Sequence, residues 1–135
     1  MSSSQTTMIE SFTQHAIIIN VETAYLPEQS DPDKKRYVFS YHITITNNDQ
    51  QPVQLLRRRW LITDGDEQVQ EVEGEGVIGE QPVIAPQQSF SYTSGTVIST
   101  KVGSMQGHYQ MQTDDGQTFN ADIEPFTLAQ PNALH

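Results

Sequence analysis

The sequence predicts an all-β protein, a two-layer antiparallel β-sandwich of immunoglobulin-like build, and three observations carry that expectation. Seven or eight short runs rich in β-branched and aromatic residues are separated by turn signals, the single tryptophan sits in the third run, and no convincing amphipathic helix interrupts them. A small barrel is the alternative arrangement of the same runs. The 135 residues suit one domain, long enough to bury a core without disulfide or metal staples.

Each element has its own reason. HAIIINVETAYL, residues 15–26, is β-branched and ends at the break Pro27 to Asp33. YVFSYHITIT, residues 37–46, alternates, with Tyr37, Phe39, Tyr41, Ile43 and Ile45 on one face and Val38, Ser40, His42, Thr44 and Thr46 on the other. The turn NNDQQP leads to VQLLRRRWLIT, residues 53–63, where strict alternation puts Leu56, Arg58, Trp60 and Ile62 on one face. NNDQQP fits either a hairpin or an arch between sheets, and the immunoglobulin-like arrangement prefers the arch. Asp64-Gly65 is a hairpin signal that folds EQVQEVE back onto the Trp60 strand. PVIA and QSFSYT read as shorter strands, with Phe90 and Tyr92 on one face, and SGTVISTKVGSMQ reads as a long connection. GHYQMQT and QTFNADIEPFTL flank a second hairpin signal, Asp114-Asp115-Gly116. The core should hold Tyr37, Phe39, Tyr41, Ile43, Trp60, Phe90 and Tyr109. Residues 1–14 read as a flexible polar tail, 15–128 as the domain and 129–135 as a second tail.

Composition excludes several classes of function. The absence of cysteine removes disulfides, a thiol nucleophile and thiolate zinc sites, and fits a reducing cytoplasm. No signal-peptide pattern opens the chain, and no apolar run approaches the ~20 residues that cross a bilayer, so a soluble cytoplasmic protein, monomer or weak homodimer, is expected. The net charge of −10 disfavours non-specific attraction to nucleic acid or anionic membrane. Six of the seven basic residues nevertheless fall in two triplets, Lys34-Lys35-Arg36 and Arg57-Arg58-Arg59. Arg57 and Arg59, on the face opposite Arg58, are candidates for presenting charge to a protein partner. Arg58, on an otherwise apolar face, needs an aromatic, a carboxylate or an opening to solvent.

GEGVIGEQPVIAP contains Gly74, Gly76 and Gly79 at the spacing of a phosphate-binding GxGxxG loop. That fingerprint works by placing pyrophosphate at the start of a helix, and Pro82 and Pro86 bracket a strand-like run instead. Glu75 and Glu80 would also set negative charge beside a phosphate. The structural reading is that the glycines supply positive φ or close approach where the chain leaves one sheet for the other; a phosphate or nucleotide ligand is the competing reading. Glu71, Glu73 and Glu75 recur at period two, and Asp64, Asp66 and Glu67 cluster in a turn, but such a row reads as a solvated face rather than a metal site. His15, His42, His108 and His135 show no short pairing, and Ser91, Ser94, Ser99 and Ser104 lack a GxSxG elbow. No cofactor, metal or catalytic residue is expected.

The WxITD stretch from Trp60, GxGxxGxQP from Gly74, YTSG from Tyr92 and GSMxGxYxM from Gly103 together resemble the bacterial ApaG family, over residues 15–128. The resemblance implies a fibronectin type III-like sandwich and a role linked to cobalt tolerance and magnesium or cobalt efflux, with no established catalytic activity. It also implies an association with dinucleoside polyphosphate hydrolysis and ribosomal RNA methylation genes. Related domains in eukaryotic F-box and polymerase-interacting proteins point to protein binding. The chain departs where many relatives carry serine and histidine in place of Arg57 and Arg59, and PG in place of Pro86-Gln87. The leading expectation is a non-enzymatic protein-binding module; a phosphate or nucleotide module is second, and polyphosphate hydrolysis third.

Overall fold

The computed structural model of the chain describes residues 16–133. Eight strands lie among them: β1 (Ile17–Tyr25), β2 (Tyr37–Asn47), β3 (Val53–Asp64), β4 (Val69–Glu75), β5 (Val83–Ile84), β6 (Ser89–Ile98), β7 (Val102–Thr113) and β8 (Thr118–Ala129). One antiparallel sheet has the order β1-β2-β6 and the other β4-β3-β7-β8, with β5 pairing β3 beyond β4. The tail expected over 1–14 lies outside the described residues, as do His15 and His135.

The alternation of β2 does what its sequence dictates: Phe39, Tyr41, Ile43 and Ile45 are buried, with Tyr37 packed against them. Both hairpin signals form, joining β3 to β4 and β7 to β8. β2 and β3 belong to different sheets, so the connection between them is the arch. Its hinge is Asn47, fully buried, whose Nδ2 donates to the carbonyls of Gln51 and Ile84, each at 2.9 Å, while its Oδ1 accepts the Asp49 N–H. A buried amide satisfied in this way fixes the chain's path, because any other path leaves its polar atoms unpaired.

Three expectations need correction. Leu56 does not share the core face with Trp60; a β-bulge between Leu55 and Arg57 shifts the phase, so Val53 and Leu55 are buried on one side of it and Trp60 and Ile62 on the other. SGTVISTKVGSMQ is not a long connection: β6 runs to Ile98 and β7 starts at Val102, because Ser94, Gly95 and Thr96 pair with Tyr41, Ser40 and Phe39 despite their weak strand propensity. The glycine loop does not cross between sheets; β4 and β5 both pair β3, and the crossing follows β5, before β6.

Trp60 is the centre of the core. It makes edge contacts with Tyr41, Tyr109 and Phe126 at centroid distances of 5.4, 6.3 and 5.9 Å, the geometry that aromatic quadrupoles favour. Beside it the Tyr92 and Tyr109 hydroxyls share a hydrogen bond, and burial pushes the pKa of both phenols up.

Candidate functional site

The glycine loop is built around Arg58. The guanidinium Nη1 donates to the carbonyls of Glu75, at 3.2 Å, and Gly76, at 2.9 Å. Gly74 makes room for it, since a Cβ there would sit 2.8 Å from both terminal nitrogens. Of the aromatic, carboxylate or solvent opening that its place on an apolar face calls for, half-buried Arg58 has the opening, along a cleft, and its Nη1 is held by backbone carbonyls. Gly76 has φ +62°, and a Cβ on it would stand 2.1 Å from the Glu80 oxygen. Ile78 and Gly79, at φ +43° and +79°, form the tip of a two-residue turn closed by reciprocal bonds between Val77 and Glu80. Val77 is buried as its anchor, and Ile78 is exposed.

A phosphate cradle needs several N–H groups converging on one point. Here Gly76 N–H donates to the Leu56 carbonyl, Val77 N–H to Glu80 and Glu80 N–H to Val77. The loop turns its carbonyls to a cation and spends three of its own donors.

Arg57 and Arg59 face outward from the five-stranded sheet. Arg59 stands between Glu73 and His108, with Asp122 beyond the histidine; Arg57 stands between Glu75 and Gln110, with Asn120 beyond. They line a shallow depression of about 260 Å³. Arg59 Nη2 donates to Glu71 Oε1 at 2.8 Å, and Arg57 is exposed. Glu71, Glu73 and Glu75 form the exposed acidic row that their spacing implies; Glu73 and Glu75 face Arg59 and Arg57 across the ladder, and Glu71, opposite Leu61, reaches Arg59 diagonally. Asp64 is used within its hairpin: Oδ1 accepts the Asp66 and Gln68 N–H groups and Oδ2 the Ser99 hydroxyl. The Gln68 N–H above all holds its carboxyl below the usual carboxylate range. No group of three or more metal-ligating side chains gathers among the described residues. His42 pairs with Thr93, and Ser91 with Thr44, across β2 and β6.

The third region emerges only from the fold. Along one side of the sandwich β4 ends its sheet, β6 ends the other, and a groove opens between them. At one end a cavity of about 510 Å³ is lined by Lys34, Lys35 and Arg36 together with Val69, Val97 and Ile98. Through Ile62, Gln70 and Val97 it adjoins a cleft of about 380 Å³ that reaches Arg58, Gly95 and Trp60. Val69 and Val97 are 60% and 42% exposed. The basic triplet was visible in the sequence; two isolated valines on different strands give no local signal of a shared groove.

Two antiparallel sheets with an arginine-locked loop and one open side define a small β-sandwich domain. The family is narrower: a model described as the ApaG domain matches residues 27–113, and the chain belongs to that family. It is 58% identical over 122 residues to Protein ApaG of Azotobacter vinelandii, covering 90% of this chain and 97% of that one. It is 56% identical to Protein ApaG of Pseudomonas aeruginosa, covering 91% and 98%. A Bordetella pertussis protein crystallised under the name ApaA superimposes with a TM-score of 0.85 at 45% identity, over 87% of this chain and 96% of that one. An Archaeoglobus fulgidus protein, at 6% identity and a TM-score of 0.53, shares the fold alone. No helix among the described residues is long and apolar enough to cross a membrane.

Proposed function

We propose that the chain is a non-enzymatic, cytoplasmic binding module that docks another protein in the groove between β4 and β6. The observation that carries this reading is the pairing, in one groove, of exposed Val69 and Val97 with three of the seven basic residues of a chain whose net charge is −10. Exposed apolar side chains rimmed by charge are the usual make-up of an interaction surface. A role in cobalt or magnesium tolerance would then act through the partner. A phosphate or nucleotide at Gly74, Gly76 and Gly79 has less support, because the loop's carbonyls and three of its N–H groups are committed internally. Hydrolysis of polyphosphates has the least.

Capture of partners from cells by the tagged chain, followed by mass spectrometry, tests the reading against two controls. A partner should be retained by the Arg57→Gln/Arg59→Gln double variant and lost from Val69→Thr/Val97→Thr. Loss from the arginine variant alone would move the surface to the outer sheet face, and a co-purifying nucleotide would favour the loop.

A further inference from the structure

We infer that the partner's segment is an extended, acidic strand that adds to the free edge of β6. The inference rests on the groove as docking surface and deepens it.

Four long strands end the two sheets. An edge strand offers unpaired N–H and C=O groups to any other chain, and proteins guard such edges with charge, proline or bulges. β1 carries Glu22; β4 carries Glu71, Glu73 and Glu75; β8 carries Asp122, Glu124 and Pro125. β6, SFSYTSGTVI, has neither a charged residue nor a proline over its ten residues, a length of about 33 Å. Its outward side chains are occupied inward along the sheet: Ser89, Ser91 and Thr93 hydrogen-bond with Thr46, Thr44 and His42 of β2. Gly95, the seventh of the ten, leaves the sheet face beside that stretch of the edge without a side chain. Among the described residues no strand pairs with this edge, which is long and neutral, as strand addition requires.

The groove beside this edge supplies the chemistry of the occupant. Lys34, Lys35 and Arg36 line it at the Ile98 end, against a single carboxylate, Asp64, that already accepts from Asp66, Gln68 and Ser99, and Arg58 lines the cleft level with Gly95. A strand paired with β6 sends its side chains alternately to either face; Val97 and Val69, exposed beside the edge, favour β-branched residues, and the basic groups favour carboxylates. A second copy of the chain is the poorer occupant, since each copy brings a net charge of −10.

The test is selection of a displayed random decapeptide library on the intact chain, followed by hydrogen exchange with a synthetic winner. Enriched peptides should carry Asp or Glu with β-branched residues at alternate positions, and should slow exchange at amides of residues 89–98. Ser91→Glu/Thr93→Glu, which gives β6 the guard that β4 has, and Lys35→Glu should each weaken binding at least tenfold. Arg57→Glu, on the far sheet face, should change it less than twofold. Winners that protect β4 and leave β6 untouched would overturn strand addition while sparing the docking groove. Winners that are neutral or basic would overturn the acidic partner. If no winner maps to the open side, or if β6 is protected only by self-association on concentration, both inferences fall.

Discussion

The two sides of the sandwich are built to opposite rules. Where β1 packs over β8, the sheets close: Ile19, Val21 and Phe126 lie against the core, and Phe126 reaches Trp60. Where β4 faces β6, the sheets part, and valines and basic groups line the gap. Closure on one side completes the aromatic cluster around Trp60, so the core does not depend on the other side's closing. The lesson is that residues touching the same core can differ widely in what they contribute to stability, according to which side they serve.

That contrast can be broken most forcefully at its centre. Trp60→Ala should cost about 3–5 kcal/mol, read as a fall in the urea midpoint at constant slope; an unchanged midpoint would remove the ring from the core. Asn47→Ala removes the amide donor from the buried Ile84 carbonyl and the half-buried Gln51 carbonyl and should cost about 1–3 kcal/mol, measured in the same way. Gly76→Ala forces a Cβ against the Glu80 oxygen at positive φ and should cost about 1 kcal/mol or more. If this loss vanished with pyrophosphate present, the loop would be a ligand site after all. Val69→Thr with Val97→Thr should leave stability within about 0.5 kcal/mol, and a larger loss would make the open side part of the core.

The smallest effect is one of pH. The Asp64 carboxyl, held mainly by the Gln68 N–H, has a folded pKa below its ordinary value of 3.8. Its contribution is therefore complete above that value and lost as the pH falls through the folded pKa. Asp64→Asn should flatten the acid limb of the melting curve below pH 3.8 and leave its shape at neutral pH alone.

Much of this architecture is legible in the residues, because it depends on short-range rules. The alternation of β2, the two aspartate–glycine turns and the positive φ of Gly76 each need only a few neighbours. The family's motifs sharpen the same picture. What escapes is whatever a distant strand decides. The second half of β6, from Ser94, looks like a connection because serine, threonine and glycine pack weakly alone, yet β2 pairs along the whole strand. Asn47 looks like one more turn asparagine, and becomes a buried hinge only once Ile84 arrives beside it. The groove needs the knowledge that β4 and β6 end their sheets on the same side.

The bulge in β3 turns strand length into a kind of reading frame. Leu56 is the surplus residue; without it Val53, Leu55, Arg58, Trp60 and Ile62 would fall on one face by simple alternation. Deletion of Leu56 would therefore leave the face of every other β3 residue unchanged, whereas deletion of Leu61 would turn one end of the strand inside out relative to the other. The bulge also frees a carbonyl, for Leu56 O accepts both the Gly76 N–H and the Gln81 side chain. A chain shortened by that one residue should keep its core and lose the mooring of its glycine loop, so natural variation in length should be tolerated at this position and at few others in the strand.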